Sequence, residues 1–254
     1  MPGSAPSPRR IGVVGGVGPE AGFDLCRKVA ASTRATRDQD HLPIVLLSLP
    51  ATIPDRTPFL LGHSVENPGP ALADVAEALV DGGAEVVGVP CNTAHAPAIF
   101  DHVEARVGGR CTLVNMVDEV TVHLARRHAS VQRVGTLSTT GTRATGLYTD
   151  ALARLGVEVI QVPEAVQREH VQPAIYDPVY GVKSGPVHPR AVAGLQRGVR
   201  ALLDAGAEVV VLACTEIPLA LPEAAVGGVP LLDATRVLAR ALVRESAPDR
   251  LLDA

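Results

Sequence analysis

An internal repeat limits what this chain can fold into more than any other feature. Residues 79–91, Leu-Val-Asp-Gly-Gly-Ala-Glu-Val-Val-Gly-Val-Pro-Cys, align without a gap onto residues 202–214, Leu-Leu-Asp-Ala-Gly-Ala-Glu-Val-Val-Val-Leu-Ala-Cys. The two segments share Asp81/Asp204, Gly83/Gly206, Glu85/Glu208 and Cys91/Cys214 at an offset of 123 residues, and Arg10-Ile-Gly-Val and Arg133-Val-Gly-Thr keep the same offset. Self-similarity of this kind implies two halves of one design, each opening on a strand of similar character.

Short β-branched runs at 11–14, 44–47, 86–89, 113–117, 134–137, 157–162, 209–212 and 229–232 alternate with longer Ala-, Leu- and Arg-rich segments of helical period. Strands buried on both faces read as continuous apolar runs, and their alternation with helices builds βαβ units. The class is therefore α/β, with two pseudo-symmetric parallel-sheet domains. The repeat assigns residues 1–117 plus 229–254 to a first domain carrying Cys91, and 118–228 to a second carrying Cys214. A final helix over 234–245 is expected to pack back on the first domain.

In each half the cysteine directly follows a strand, and open α/β sheets bind ligands at the carboxyl ends of their strands. Two halves around an approximate two-fold axis place Cys91 and Cys214 on opposite walls of one cleft. Free cysteine is also among the most buried residue types, so a core role is the alternative, but matched placement at two strand ends favours function. Cys26, inside a helical segment, and Cys111, in a Gly-Gly-Arg-Cys connection, have no counterpart at the offset and read as structural. Asp81/Asp204 and Glu85/Glu208 flank the turn before each strand, at the end away from the cysteines, and read as braces.

Composition closes off other classes. The net charge is −4 and Arg is scattered through helical segments, which excludes a nucleic-acid surface. The Pro- and Ser-rich opening residues 1–10 lack the apolar run of a signal peptide and no stretch reaches bilayer length, so the expected location is cytoplasmic and no membrane partner is expected. The four cysteines form no C-x-x-C pair, the eight histidines are dispersed, and neither Lys28 nor Lys183 stands in a Schiff-base context. No metal and no cofactor are expected.

Paired thiols suit one reaction. Racemisation needs a base on one face of an α-carbon and an acid on the other, and two like groups related by symmetry serve both directions. Cys91 precedes Asn92-Thr93-Ala94 and Cys214 precedes Thr215-Glu216, both of which read as helix starts. A helix N-terminus lowers a thiol pKa and offers N–H groups to a carboxylate.

The residues Gly15-Gly16-Val17-Gly18-Pro19-Glu20-Ala21, Ile53-Pro54-Asp55-Arg56-Thr57, Pro90-Cys91-Asn92-Thr93-Ala94-His95, Gly141-Thr142, Gly146-Leu147-Tyr148, Tyr180-Gly181-Val182-Lys183 and Cys214-Thr215-Glu216 together resemble the aspartate/glutamate racemase superfamily, nearest its aspartate racemase branch. The match runs in order over nearly the whole chain. The resemblance implies a two-domain fold, usually a homodimer, that racemises acidic amino acids through the paired cysteines. By motif, it assigns Arg56 and Lys183 to the distal carboxylate of the substrate, and Asn92, Thr93, Thr142 and Thr215 to its α-carboxylate. Gly18, His95 and Glu216 adjoin these motifs and are expected to support them. Val17 and Ala213 stand where the branch usually has Met and Gly, and Ser48-Leu49-Pro50-Ala51 replaces a segment that often carries Asn.

Other readings compete. Gly16-Val17-Gly18-Pro19-Glu20-Ala21 after a first strand fits a dinucleotide fingerprint, but the acid expected at the end of the second strand is absent. Within the superfamily, the chain could act as a racemase, isomerase or decarboxylase on a hydantoin, maleate or arylmalonate-type carboxylate. Arylmalonate-type decarboxylases typically rely on one cysteine, so two favour racemisation. A non-catalytic ligand-binding homologue would be free to lose either thiol, and this chain has both.

Overall fold

The computed structural model describes residues 7–253; residues 1–6 of the Pro- and Ser-rich opening, and Ala254, lie outside the described residues. The first sheet contains β1 (Ile11–Gly15), β2 (Ile44–Ser48), β3 (Val86–Gly88) and β4 (Thr112–Val114), all parallel, in the order β2-β1-β3-β4. The second contains β5 (Arg133–Ser138), β6 (Glu158–Gln161), β7 (Val209–Ala213), β8 (Ala225–Val226) and β9 (Val229–Asp233), in the order β6-β5-β7-β9-β8. It is parallel apart from the β8–β9 pair. The first four strands of that order repeat the arrangement of the first sheet, so the expected α/β fold with two parallel-sheet domains is present. No helix among the described residues is long and apolar enough to cross a membrane.

Of the acidic pairs retained by the repeat, Glu85 and Glu208 form matched braces at the strand openings, whereas Asp81 pairs with Arg110 and Asp204 has no matching bond among the described residues. Glu85 accepts a hydrogen bond from the Arg10 N–H at 3.1 Å, and Glu208 accepts from the N–H groups of Gln132 and Arg133 at 2.7 and 2.9 Å. Gly83 and Gly206 both adopt φ +88°, a conformation that disfavours any side chain. A Cβ on either would stand 2.6 Å from Arg10 Nη1 or 2.5 Å from Arg133 Nη1. These turns lie at the opposite ends of β3 and β7 from the cysteines.

Strands β1, β3 and β7 are buried on both faces, and the core that each residue joins follows their two-residue period. Val209, Val211 and Ala213 face a core that also takes in Ile11, Val13 and Val86 of the first sheet, together with Leu25, Leu124, Leu238 and Leu242 from three helices, Pro19–Ser32, Met116–Arg127 and Ala234–Ser246. Those helices thus share one core with a face of each sheet. On the opposite faces, Val210, Leu212 and Cys214 join the outer core of the second half, and Val87, Val89 and Cys91 that of the first. Both cysteines therefore continue the outward-facing phase of their strands.

Two boundaries differ from the sequence expectation. The strand expected over 113–117 stops at Val114, because the Asn115 side chain accepts from the N–H groups of Val117 and Asp118 and starts the helix Met116–Arg127. Residues 229–233 were expected with the first half, but Val210↔Leu231 and Leu212↔Asp233 pair β9 to β7. Packing on the first half begins with the helix Ala234–Ser246, which Asp233 caps through the N–H groups of Thr235 and Arg236.

Candidate functional site

The segments after the two cysteines are short. Cys91 opens a four-residue 3-10 turn, Asn92–His95, and Cys214 is followed by Thr215, Glu216 and the four-residue helix Ile217–Ala220. The helix starts expected there are present only as these short segments, so little aligned backbone dipole reaches either thiol. Side chains set the local charge instead.

Around Cys214, a carboxylate and an ammonium share the work. The thiol donates to Glu216 Oε2 at 3.1 Å, and Thr215 Oγ1 reaches the same oxygen at 3.3 Å. The other carboxylate oxygen takes the Lys183 ammonium at 2.5 Å. Burial and the Glu216 charge push the Cys214 thiol well above its ordinary range, against the pull of Lys183. Burial also works against the Glu216 charge, but Lys183, the thiol hydrogen bond and Arg56 outweigh it and hold the carboxyl below its ordinary value. For Lys183 the burial cost is likewise outweighed, by Glu216, Cys214 and Tyr176, so its pKa is raised. Gly18, at φ +97°, makes room for this pair: a Cβ there would fall 2.3 Å from Glu216 Oε1. Gly18, Pro19, Glu20, Val182, Lys183 and Glu216 line a cavity of about 220 Å³.

Around Cys91 the groups are donors. Arg56 is buried, and its charge is sustained, against desolvation, by Cys91, Asp55, Tyr176 and Glu216. The guanidinium thus feels Cys91 on its own half and Glu216 on the other. Its Nη1 donates to Pro54 O at 3.3 Å, while Nε has no partner. Asn92 Nδ2 is also buried and unpartnered. Thr93 Oγ1 meets Thr142 Oγ1 at 2.8 Å, and both lie near Thr139 Oγ1, at 3.4 and 3.2 Å. This hydroxyl triangle bridges the two halves.

His95 does not face a thiol. Its Nε2 accepts from the Met116 N–H at 3.2 Å, so Nδ1 carries the proton and donates to Cys91 O at 2.9 Å. Burial depresses its pKa to about 4, keeping the ring neutral, and it stacks on Phe100. It anchors the backbone of the Cys91 turn. Cys26 and Cys111 hydrogen-bond none of these groups, and among the described residues no cluster of His, Cys, Asp and Glu could hold a metal ion. A cavity of about 640 Å³ beside Lys28, Asp233 and Arg236 is lined by neither Cys91 nor Cys214.

With this geometry established, comparison with known proteins identifies the lineage. The family model described as Asp/Glu/Hydantoin racemase matches residues 14–242. The chain belongs to that family. A glutamate racemase of Roseiflexus sp. (strain RS-1) is 35% identical over 147 residues, 57% of this chain and 49% of that protein, so the match spans about half of that relative. The broad specificity amino-acid racemase RacX of Bacillus subtilis (strain 168) is 24% identical over 242 residues, 92% of this chain and 96% of that one. Among solved structures, an aspartate racemase of Picrophilus torridus superposes with a TM-score of 0.77 over 96% of both chains at 24% identity. An aspartate racemase homologue of Pyrococcus horikoshii gives 0.69 over 94% of this chain and 99% of that one at 22% identity. At such identity these two superpositions speak to the fold.

Tyr176 stands outside the motifs read from the sequence, and Tyr148, part of Gly146-Leu147-Tyr148, was given no role there. Tyr176 donates to Thr57 Oγ1 at 3.1 Å and to Asp55 Oδ1 at 3.3 Å, on either side of Arg56, while the Lys183 ammonium sits 5.3 Å from the centre of its ring. Tyr148 donates to Asn92 Oδ1 at 2.5 Å. Their scarcity was the available signal: the chain has three tyrosines and no tryptophan.

Proposed function

We propose that this chain racemises an acidic amino acid, aspartate or glutamate, by two-base proton transfer between Cys91 and Cys214. The observation that carries the reading is the pair of orphan donors. Only three buried side-chain nitrogen or oxygen atoms among the described residues lack a partner, and two of them, Arg56 Nε and Asn92 Nδ2, stand in the Cys91 half-site. A buried donor left unpaired costs about 1–3 kcal/mol, more for a charged group, so the site is built for a ligand rich in acceptors. Carboxylates supply such acceptors, and Arg pairs with them through two parallel bonds.

In this reading Asn92, Thr93, Thr142 and Thr215 surround the α-carboxylate, and Arg56 and Lys183 take the distal one. One cysteine, as thiolate, removes the α-proton; the electron pair passes into the α-carboxylate as an enediolate, and the other cysteine, as thiol, returns a proton from the opposite face. The raised pKa of Cys214 suits it to the thiol role at rest. In the reverse direction its proton has to leave first, and Glu216 already accepts that hydrogen bond.

The test is proton NMR with L-aspartate and with L-glutamate in heavy water, without added cofactor, followed by chiral chromatography. Loss of the α-proton signal together with appearance of the D-enantiomer, abolished in C91A and in C214A, is the expected result. Absence of exchange with every acidic amino acid redirects the search to other small carboxylates, and full turnover without one cysteine overturns the two-base mechanism.

A further inference from the structure

We propose that Tyr148 is a positioning residue that fixes the orientation of the Asn92 side-chain amide, so that its NH2 group faces the substrate carboxylate. The identity of the carboxylate rests on the racemase reading above; the pairing of the two side chains does not. Tyr148 belongs to the helix Leu147–Ala153 of the second half and Asn92 to the turn after β3 in the first, and they are 3% and 1% exposed. The Tyr148 hydroxyl makes one hydrogen bond among the described residues, to Asn92 Oδ1.

An amide side chain has two orientations of nearly equal shape and opposite polarity. If Asn92 were reversed, its NH2 would donate to Tyr148, the phenol hydrogen would have no acceptor, and Oδ1 would confront an anion. With the phenol as donor, both buried groups are satisfied once a carboxylate accepts from Nδ2. The phenol suits this task because burial in the core shared by the two sheets holds its proton firmly. The unpartnered amide nitrogen is the donor that a substrate carboxylate would take. Since the pair joins residues from the two halves, it also ties amide orientation to their approach.

The experiment compares Y148F, N92A and the double variant by steady-state kinetics on the acidic amino acid that exchanges fastest, with thermal melting of each. A second readout needs no turnover: the side-chain amide signals of the three asparagines in 15N–1H spectra, with Asn92 assigned through N92A, followed during titration with succinate. Expected are a KM about tenfold higher in Y148F with kcat nearly kept, as for loss of one hydrogen bond to a charged group. Y148F should add nothing in the N92A background, and the Asn92 amide response to succinate should be displaced to higher concentration in Y148F. N92D, which offers the carboxylate an oxygen in place of the NH2, should bind worse than Y148F. An unchanged KM in Y148F, multiplying effects in the double variant, or an Asn92 amide indifferent to succinate in the wild type would each overturn the proposal. If the wild type exchanges no α-proton, the racemase reading falls and the succinate titration decides the pair by itself.

Discussion

The Cys214 thiol donates to Glu216 at 3.1 Å, and the second oxygen of that carboxylate is held by Lys183 at 2.5 Å. The carboxylate is thus a shared acceptor between a proton donor and a fixed cation. In E216Q the negative charge beside the thiol disappears while Lys183 remains. The Cys214 thiolate should then form at lower pH than in wild type, read by ultraviolet thiolate absorbance in a background where the other cysteines are replaced. An unchanged or higher midpoint would mean that burial alone sets this thiol.

Removing the cation tests the same carboxylate from the other side. Folded Glu216 has a pKa lowered chiefly by Lys183 against burial. It therefore contributes stability above the unfolded carboxyl value near ~4.3 and loses it as pH falls through the folded value. K183M leaves that charge buried without its counter-ion, which should cost on the order of 3 kcal/mol at neutral pH. The deficit relative to wild type should shrink in acid. Urea unfolding of both proteins at pH 7 and pH 4 measures it, and a deficit independent of pH would refute the assignment.

His95 gives a pH dependence of its own. Its folded pKa of about 4 lies below the unfolded value of about 6.5, so the unfolded chain binds the extra proton between them. The contribution is complete above about 6.5 and is lost progressively down to about 4, at most about 3 kcal/mol. Unfolding free energies across that window should slope more steeply in wild type than in H95Q. Equal slopes would show that other groups carry the acid sensitivity.

Gly18 is expected to tolerate no methyl group. Its φ of +97° strains any side chain by about 1 kcal/mol or more, and the added Cβ would meet Glu216 Oε1. In G18A the carboxylate has to move off Lys183 or Cys214, so α-proton exchange should fall by about tenfold or more while the protein stays folded. Wild-type exchange in G18A would show that Glu216 relaxes without consequence.

The sheets and both cysteines were legible because local sequence carries them: apolar runs mark buried strands, and a gapless repeat marks equivalent strand ends. Glu216 and Lys183 were visible as motif neighbours, but their contact joins residues 33 apart and follows only from the fold. The roles of Tyr148 and Tyr176 were not legible. Each reaches across the interface to a partner more than fifty positions away, and no periodicity records such a distance. The helix starts expected after the cysteines are present but short: a 3-10 turn, Asn92–His95, stops before Pro97 opens a separate helix, and the helix Ile217–Ala220 ends at Leu221 after four residues. Strand β9 was misplaced because a run such as Val229–Asp233 reads alike in either sheet, and only its pairing to β7 separates them.

The repeat offset puts Thr93 in the place of Glu216. Cys91 is therefore followed by a member of the hydroxyl triangle and Cys214 by a charged carboxylate, so in the two-base mechanism proposed above the two directions of proton transfer would meet unlike surroundings. The mirror-image forms of an amino acid have equal free energy in water, so no departure from symmetry in the catalyst alters where such an interconversion comes to rest. If the chain is such a catalyst, the divergence of Thr93 and Glu216 can make kcat and KM differ between the two hands but leaves kcat/KM equal for the two. At the braced rear of the sheets that freedom is absent, and there the two halves have stayed alike.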